Sequence, residues 1–253
     1  MIEVFILSII QGITEFLPVS STSHLIVVSK YINFQERGLA IDVSLHIGSF
    51  MAVLTYFSRD ILNFIKNKEL FIKIIISSIP VMVVGFLLAQ FNLIEEIRSM
   101  KVIGWTTLIF GILLYVSDKF NLEKNIENNF SFKSAIIIGF FQILSLVPGV
   151  SRSGITITAA RILNFKRFDA AKISFLLSIP TLFAVSVFGI KNMLVLDDLN
   201  FSILNFFSII LSFTFSYITI KYFLRYIKNF NLNIFCIYRI FLGFIILSIS
   251  YLK

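Results

Sequence analysis

Charge is scarce in this chain. Of its 253 residues, 14% are Asp, Glu, Lys or Arg and 57% are hydrophobic. With a mean hydropathy of +0.92, that balance excludes an ordinary soluble globular protein. Cysteine is nearly absent. The single Cys236 excludes an internal disulfide, and its apolar surroundings mark it as a packing residue. The N-terminus lacks a basic leader and a small-residue cleavage pattern, so the opening segment reads as retained structure and not as a signal peptide. Only four prolines occur. Pro80 and Pro180 read as kinks that membrane helices tolerate, whereas Pro18 and Pro148 punctuate two polar stretches.

Long apolar runs are what the chain does have. Several reach the roughly 20 residues a membrane helix needs, which predicts a polytopic, all-α membrane protein. The net charge of +8 then reads as cytoplasmic loops facing anionic lipid and not as a nucleic-acid surface. The chain is also written twice. "QGITEFLPVSSTSHLIVVSKYINF" from Gln11 lies without gaps on "QILSLVPGVSRSGITITAARILNF" from Gln142, an offset of 131 residues. One further residue of offset places "LHIGSFMAV" on "LSIPTLFAV" and Gly111 on Gly243. This predicts one membrane domain over 1–253, with repeats at 1–125 and 126–253.

Each half shows two short apolar pieces around a Pro/Ser-rich break, then three long spans. The spans fall near 39–57, 70–91 and 101–117, then 168–190, 202–224 and 234–252. The pieces (1–17 and 22–34, then 132–147 and 153–165) are mostly too short to cross alone. Each pair is therefore a broken crossing helix or a re-entrant hairpin. If the pairs are re-entrant, the second half is inverted and Lys and Arg partition fourteen to six across the membrane, with Arg152 and Arg239 left at membrane depth. If the pairs cross, the split is eleven to nine. The positive-inside rule prefers six transmembrane helices plus two re-entrant hairpins, in an inverted-topology repeat with both termini outside.

Inverted repeats place their site where broken helices meet. Here "PVSSTSH" meets "PGVSRSGIT". Ser20 and Ser151 are candidate N-caps of the second half-helices, whose amide ends then face the gap as an anion site. Arg152 adds a planar fork suited to phosphate, with Ser151, Ser153 and Thr156 as further donors. Ser21 or Thr22 is placed to attack phosphorus or to donate to it. His24, three residues past Ser21, is a candidate acid–base group. Glu15 is a candidate cation ligand or proton acceptor, and Gln11, one turn earlier, offers only a neutral oxygen. Ser20 and Ser23 have about even odds of being caps alone. His46 reads as an interhelical hydrogen bond, Asp42 as an interfacial acid, and Arg239 as a structural ion pair or a snorkelling side chain.

At these residues, "QGITEFLPVSSTSH" and "PGVSRSGIT" resemble the two signature motifs of the undecaprenyl-diphosphate phosphatases, also called bacitracin-resistance proteins. The resemblance spans essentially the whole chain, "ISFLLSIPTLF" included. It implies an enzyme of the bacterial cytoplasmic membrane, its site open to the outer face. The implied reaction removes the terminal phosphate of undecaprenyl diphosphate, regenerating the lipid carrier for wall polymers. A divalent cation, Mg2+ or Ca2+, is implied at Glu15, and the essential residues fall on Glu15, Ser21, His24 and Arg152. Where the family motif often has glutamate this chain has Gln11, which removes a carboxylate from any metal pair. A homodimer is left open. Two rivals are a lipid transporter, to which paired breaks also belong, and a lipid phosphatase with a histidine nucleophile. The second would need a histidine downstream of "SRSG", and both histidines, His24 and His46, lie upstream of it.

Overall fold

A computed structural model describes residues 2–32, 39–64, 68–91, 93, 98–120, 123–195 and 203–252. The protein is all-α; among the described residues the only strand-like pairing is an isolated bridge between Lys124 and Phe165. Among the described residues, six helices are long and apolar enough to cross a membrane. They are α3 (Leu39–Tyr56), α5 (Lys68–Gln90), α6 (Met100–Asp118), α10 (Arg167–Val195), α11 (Ile203–Asn229) and α12 (Asn233–Tyr251). In hydrocarbon every backbone polar group must be bonded internally, which a helix achieves within one segment. α10 and α11 run past the expected apolar stretches, through Lys191 in the first and through Arg225 and Lys228 in the second. Pro80 and Pro180 lie inside α5 and α10.

The shorter pieces are α1 (Ile2–Thr14) and α2 (Ser21–Ile32), then α8 (Phe132–Ile143) and α9 (Arg152–Ile162). Small helices α4 (Ser58–Phe64) and α7 (Ile126–Asn129) serve as connectors. Residues 33–34 of the second expected piece, and Arg37, Lys66 and Lys253 of the charge count, lie outside the described residues.

α6 packs on α12 and α3 on both α10 and α11. α1 is seated on α11, while its counterpart α8 is seated on α5, the counterpart of α11. Each half's first short helix thus rests on the other half's middle span. Small residues allow these approaches, as expected where lipid offers no hydrophobic drive between helices. A Cβ on Gly12 would lie 2.9 Å from the Ser216 backbone nitrogen, and Gly139 abuts Ser77 just as closely. Between α3 and α11, Ser49 lies within hydrogen-bond distance of Ser212 and Ser216, at 3.1 and 3.0 Å. Gly111 and Gly243, matched by the repeat, both lie at the α6–α12 crossing, against Arg239 and Leu108.

Large apolar side chains such as Phe86, Phe183, Phe206 and Phe241 point outward. The interior gathers around Phe16, Phe57, Phe175 and Phe223, with Phe16 edge-on to Phe175 at 5.3 Å. Cys236 is packed in this same core. One polar knot fixes the C-terminal end of α9. Buried Asp118 pairs with Arg161 at 3.0 Å and Arg167 at 2.8 Å, and accepts the Leu232 N–H at 3.0 Å.

Candidate active site

Two breaks in the helical backbone meet in the interior. In the first, α1 ends at Thr14, the chain turns through Pro18, and α2 begins at Ser21. In the second, α8 tightens into a 3-10 turn (Leu144–Leu146), passes Pro148 and restarts as α9 at Arg152. The residue before each new helix is a serine in the left-handed half of backbone space, Ser20 at φ 74° and Ser151 at φ 72°. Such a conformation costs a non-glycine residue of order 1–3 kcal/mol and is retained where surroundings enforce it. Both serines cap: Ser20 Oγ accepts the Ser23 N–H at 3.4 Å and Ser23 Oγ at 3.0 Å, and Ser151 Oγ accepts the Gly154 N–H at 3.1 Å.

Arg239 joins the two breaks. It is fully buried, and its fork donates to Pro18 O at 3.3 Å, Gly149 O at 3.0 Å and Val150 O at 2.9 Å, with Nε on Thr107 O at 3.3 Å. The sequence reading of Arg239 as an ion pair or snorkelling group is therefore corrected: its partners are backbone carbonyls freed by both helix breaks. Gly149, at φ 95°, completes the turn, since a Cβ there would collide with Thr106 and lie 2.7 Å from Ile103 O.

Functional side chains then converge across the breaks. Arg152 donates to Glu15 Oε1 at 2.9 Å and to Ser174 O at 3.2 Å. The other oxygen of Glu15 accepts Ser21 Oγ at 3.0 Å and the Gln11 amide at 3.1 Å. The same Gln11 nitrogen lies 3.2 Å from His46 Nδ1 on α3. Of these groups, Glu15, Ser21, Arg152 and His46 border a cavity of about 210 Å³, whose polar wall also holds Ser20 and Ser151, whereas Gln11 is not part of that wall. Thr22 and Gln142 also reach it. Val81, Leu182 and Val185 form an apolar wall opposite. Pockets for whole drug-sized ligands run ~300–1,000 Å³, so this volume suits a small polar headgroup. Arg152 and Arg239 outnumber Glu15 at the breaks, and the starts of α2 and α9 face the same cavity, so an anion is favoured there.

Not every expected residue reaches the cavity. Ser153 Oγ donates to Leu17 O at 2.7 Å, stitching the second break to the first. Thr156 Oγ1 donates to Ser174 Oγ at 2.7 Å and to its own helix at Arg152 O, 2.8 Å. His24 lies outside the cavity wall, its Nδ1 2.7 Å from Ser20 O and its Nε2 2.5 Å from Tyr238 OH, with the two rings stacked. His46, expected to make an interhelical hydrogen bond, makes one to Gln11 and also faces the cavity. Nothing in the local sequence separates the two histidines; only the packing of α3 against α1 does.

The chain matches the family described as "Bacitracin resistance protein BacA" over residues 4–245. It is 50% identical to the undecaprenyl-diphosphatase of Pelagibacter ubique (strain HTCC1062) over 252 residues, covering 99% of this chain and 98% of that protein. Similar enzymes by name are those of Jannaschia sp. (strain CCS1), 37% identical over 98% of this chain and 97% of its own, and Alcanivorax borkumensis, 38% identical over 95% and 96%. With signature breaks, six apolar helices and near-complete coverage in agreement, the chain belongs to the bacitracin resistance protein BacA family.

Proposed function

We propose that this protein hydrolyses undecaprenyl diphosphate to undecaprenyl phosphate and inorganic phosphate. The relatives' activity supports the reading, and one observation carries it: Arg152 from one break and Ser21 from the other meet on the two oxygens of Glu15, at 2.9 and 3.0 Å, beside an anion-sized cavity. Phosphoryl transfer asks chiefly for positioning and charge neutralisation. Arg152 takes the non-bridging oxygens of the terminal phosphate in its planar fork. Ser21 Oγ attacks that phosphorus as Glu15 accepts its proton; the bond to the inner phosphate breaks, and undecaprenyl phosphate leaves with the electron pair. Water then cleaves the phosphoserine, releasing inorganic phosphate and restoring Ser21. In this scheme His24 braces the start of α2 through Ser20 and Tyr238.

A divalent cation, Mg2+ or Ca2+, fits as a group shared with substrate. Among the described residues no three His, Cys, Asp or Glu side chains gather to form a protein-only cage. Glu15 and the buried, unpartnered Oε1 of Gln11 are the oxygens that would hold it, and water and substrate oxygens would complete its shell. Bound there, it would neutralise charge on the phosphoryl oxygens.

The wider setting follows from the same reading. The pieces α1–α2 and α8–α9 are re-entrant hairpins of two inverted repeats, 1–125 and 126–253, as the exchanged seating of α1 and α8 supports. The site opens to the outer face of the bacterial cytoplasmic membrane, where the reaction recycles the carrier for wall synthesis and confers bacitracin resistance. A homodimer is compatible with this arrangement.

The test is phosphate release from undecaprenyl diphosphate by detergent-purified protein, with and without EDTA, for wild type, Arg152→Ala and Ser21→Ala. Release that needs Arg152 and the cation is expected. A dead Ser21→Ala supports the covalent route, and a merely slowed one replaces it with activated water. A folded wild type that binds the lipid and releases no phosphate overturns the enzyme and leaves a transporter.

A further inference from the structure

Gln142 is a cavity residue that the chemistry above does not use. It sits in the last turn of α8, fully buried, and neither polar atom of its amide has a partner among the described residues. The residue is nevertheless part of the wall of the central cavity, together with Ser151 and Arg152. A buried polar group left unmet costs about 1–3 kcal/mol, so an amide held this way is expensive unless a ligand meets it.

The repeat explains why the amide is unmet. Gln142 is the counterpart of Gln11, 131 residues on. Gln11 spends its N–H donors on Glu15, four residues later, and on His46. In the second half the position four residues later is Leu146. The matched backbone site carries no carboxylate, and the amide is left without a partner in a residue that borders the cavity.

We propose that Gln142 is a substrate-binding residue that hydrogen-bonds the diphosphate headgroup: its Nε2 donates to a phosphoryl oxygen and its Oε1 accepts from a water carried with the headgroup. The inference rests on the cavity being the diphosphate site. Arg152 and Ser151 supply charge and a hydroxyl at the adjoining break, and Gln142 supplies a neutral donor on the α8 side. A neutral donor holds an oxygen without adding charge, as the Ser151 hydroxyl does at the adjoining break.

The experiment compares wild type with Gln142→Leu and Gln142→Glu. Leucine has similar bulk and no polar atoms. If the amide were structural, its loss would lower the thermal midpoint. If it serves the ligand, the ligand-free midpoint stays level or rises, because an unmet group has been removed. The KM for undecaprenyl diphosphate is then expected to rise roughly 10- to 100-fold with kcat little changed, as for loss of a hydrogen bond to a charged group. The glutamate variant replaces the donor with negative charge and is expected to be at least as impaired. Inorganic pyrophosphate serves as an independent probe: its stabilisation of wild type is expected to shrink in both variants. A lowered ligand-free midpoint in Gln142→Leu overturns the proposal, as does an unchanged KM in either variant. If wild type releases no phosphate yet its pyrophosphate stabilisation depends on Gln142, the hydrolase reading fails and the binding role stands.

Discussion

Arg239 offers the sharpest test of how the site is assembled. Replacing it with methionine removes its bonds to Pro18 O, Gly149 O, Val150 O and Thr107 O together. Hydrogen bonds between helices in membrane interiors average ~0.6 kcal/mol and reach ~1.7, so the four losses amount to ~2–7 kcal/mol. Against this stands relief from burying a cation with no carboxylate on it, worth ~2.5–3.5 kcal/mol on insertion scales. With bonds near the average the two nearly cancel, and the thermal midpoint in detergent is expected to stay level or fall by a few degrees. Activity behaves differently. The guanidinium sets the spacing of the first break, with Glu15 and Ser21, against the second, with Arg152. Misplacing reacting groups by 1 Å can cost ~100-fold, so kcat/KM for phosphate release is expected to fall by about that factor. Arg239→Lys is the deciding variant. Lysine keeps the charge but offers a point donor in place of a fork, so it cannot hold carbonyls from both breaks and is expected to resemble the methionine variant. Near wild-type turnover in Arg239→Lys would refute the reasoning and leave simple charge as the function of Arg239.

Other perturbations follow from the same geometry. Gly149→Ala places a Cβ against Thr106 and 2.7 Å from Ile103 O at a φ of 95°; a lowered thermal midpoint and lost phosphate release are expected, while Gly154→Ala tests instead the contact with Arg239 Nη1 at 2.7 Å. Asp118→Ala strands buried Arg161, a loss of about 3–5 kcal/mol, read as a collapse of folded yield in detergent with KM unchanged in what remains. His24→Ala and Tyr238→Phe share one hydrogen bond at 2.5 Å, so their effects on kcat are expected to be non-additive in a double-mutant cycle by about 0.5 kcal/mol or more; strict additivity would uncouple Tyr238 from His24.

Much of this was readable from the chain because the informative signals were local. Hydropathy located all six long helices, and Pro18 with Pro148 marked both breaks. Ser20 and Ser151 were recognisable as caps because a serine following a proline-marked break and preceding an apolar run has few other uses. The role of Arg239 was not readable: its partners are backbone carbonyls that every residue possesses, on segments 221 and about 90 positions away. Glu15 and Arg152 were both identified, but as separate ligands for cation and phosphate, since one charge at each of two breaks does not reveal that the side chains touch. His24 was assigned by its spacing from Ser21 along α2. That spacing orders residues around a helix but does not say which neighbour covers them, and here Tyr238 does.

The two breaks share a backbone but not a chemistry, and the difference bears on why the duplication persists. Ser20 and Ser151 adopt φ values within two degrees of one another at the matched position. Around them, the offset of 131 sets Ser21 opposite Arg152 and Glu15 opposite Leu146. A cavity for a symmetric anion would work with the same residues on both sides. Cleaving one bond of a diphosphate is asymmetric chemistry, because one side must deliver a nucleophile and take its proton while the other holds charge that grows on the phosphoryl oxygens. Folding the repeats against each other brings two equivalent helix starts to one cavity, and divergence at two of the matched positions then divides the labour. Transplanting the pair tests this directly. Ser21→Arg with Arg152→Ser exchanges the groups between breaks but leaves Glu15 and Leu146 in place. The double variant is expected to bind pyrophosphate and release no phosphate, because its new hydroxyl sits on a side chain far shorter than the arginine that reaches Glu15, so that carboxylate cannot accept its proton. Turnover by that variant would mean that the carboxylate of Glu15 is not tied to the serine it touches.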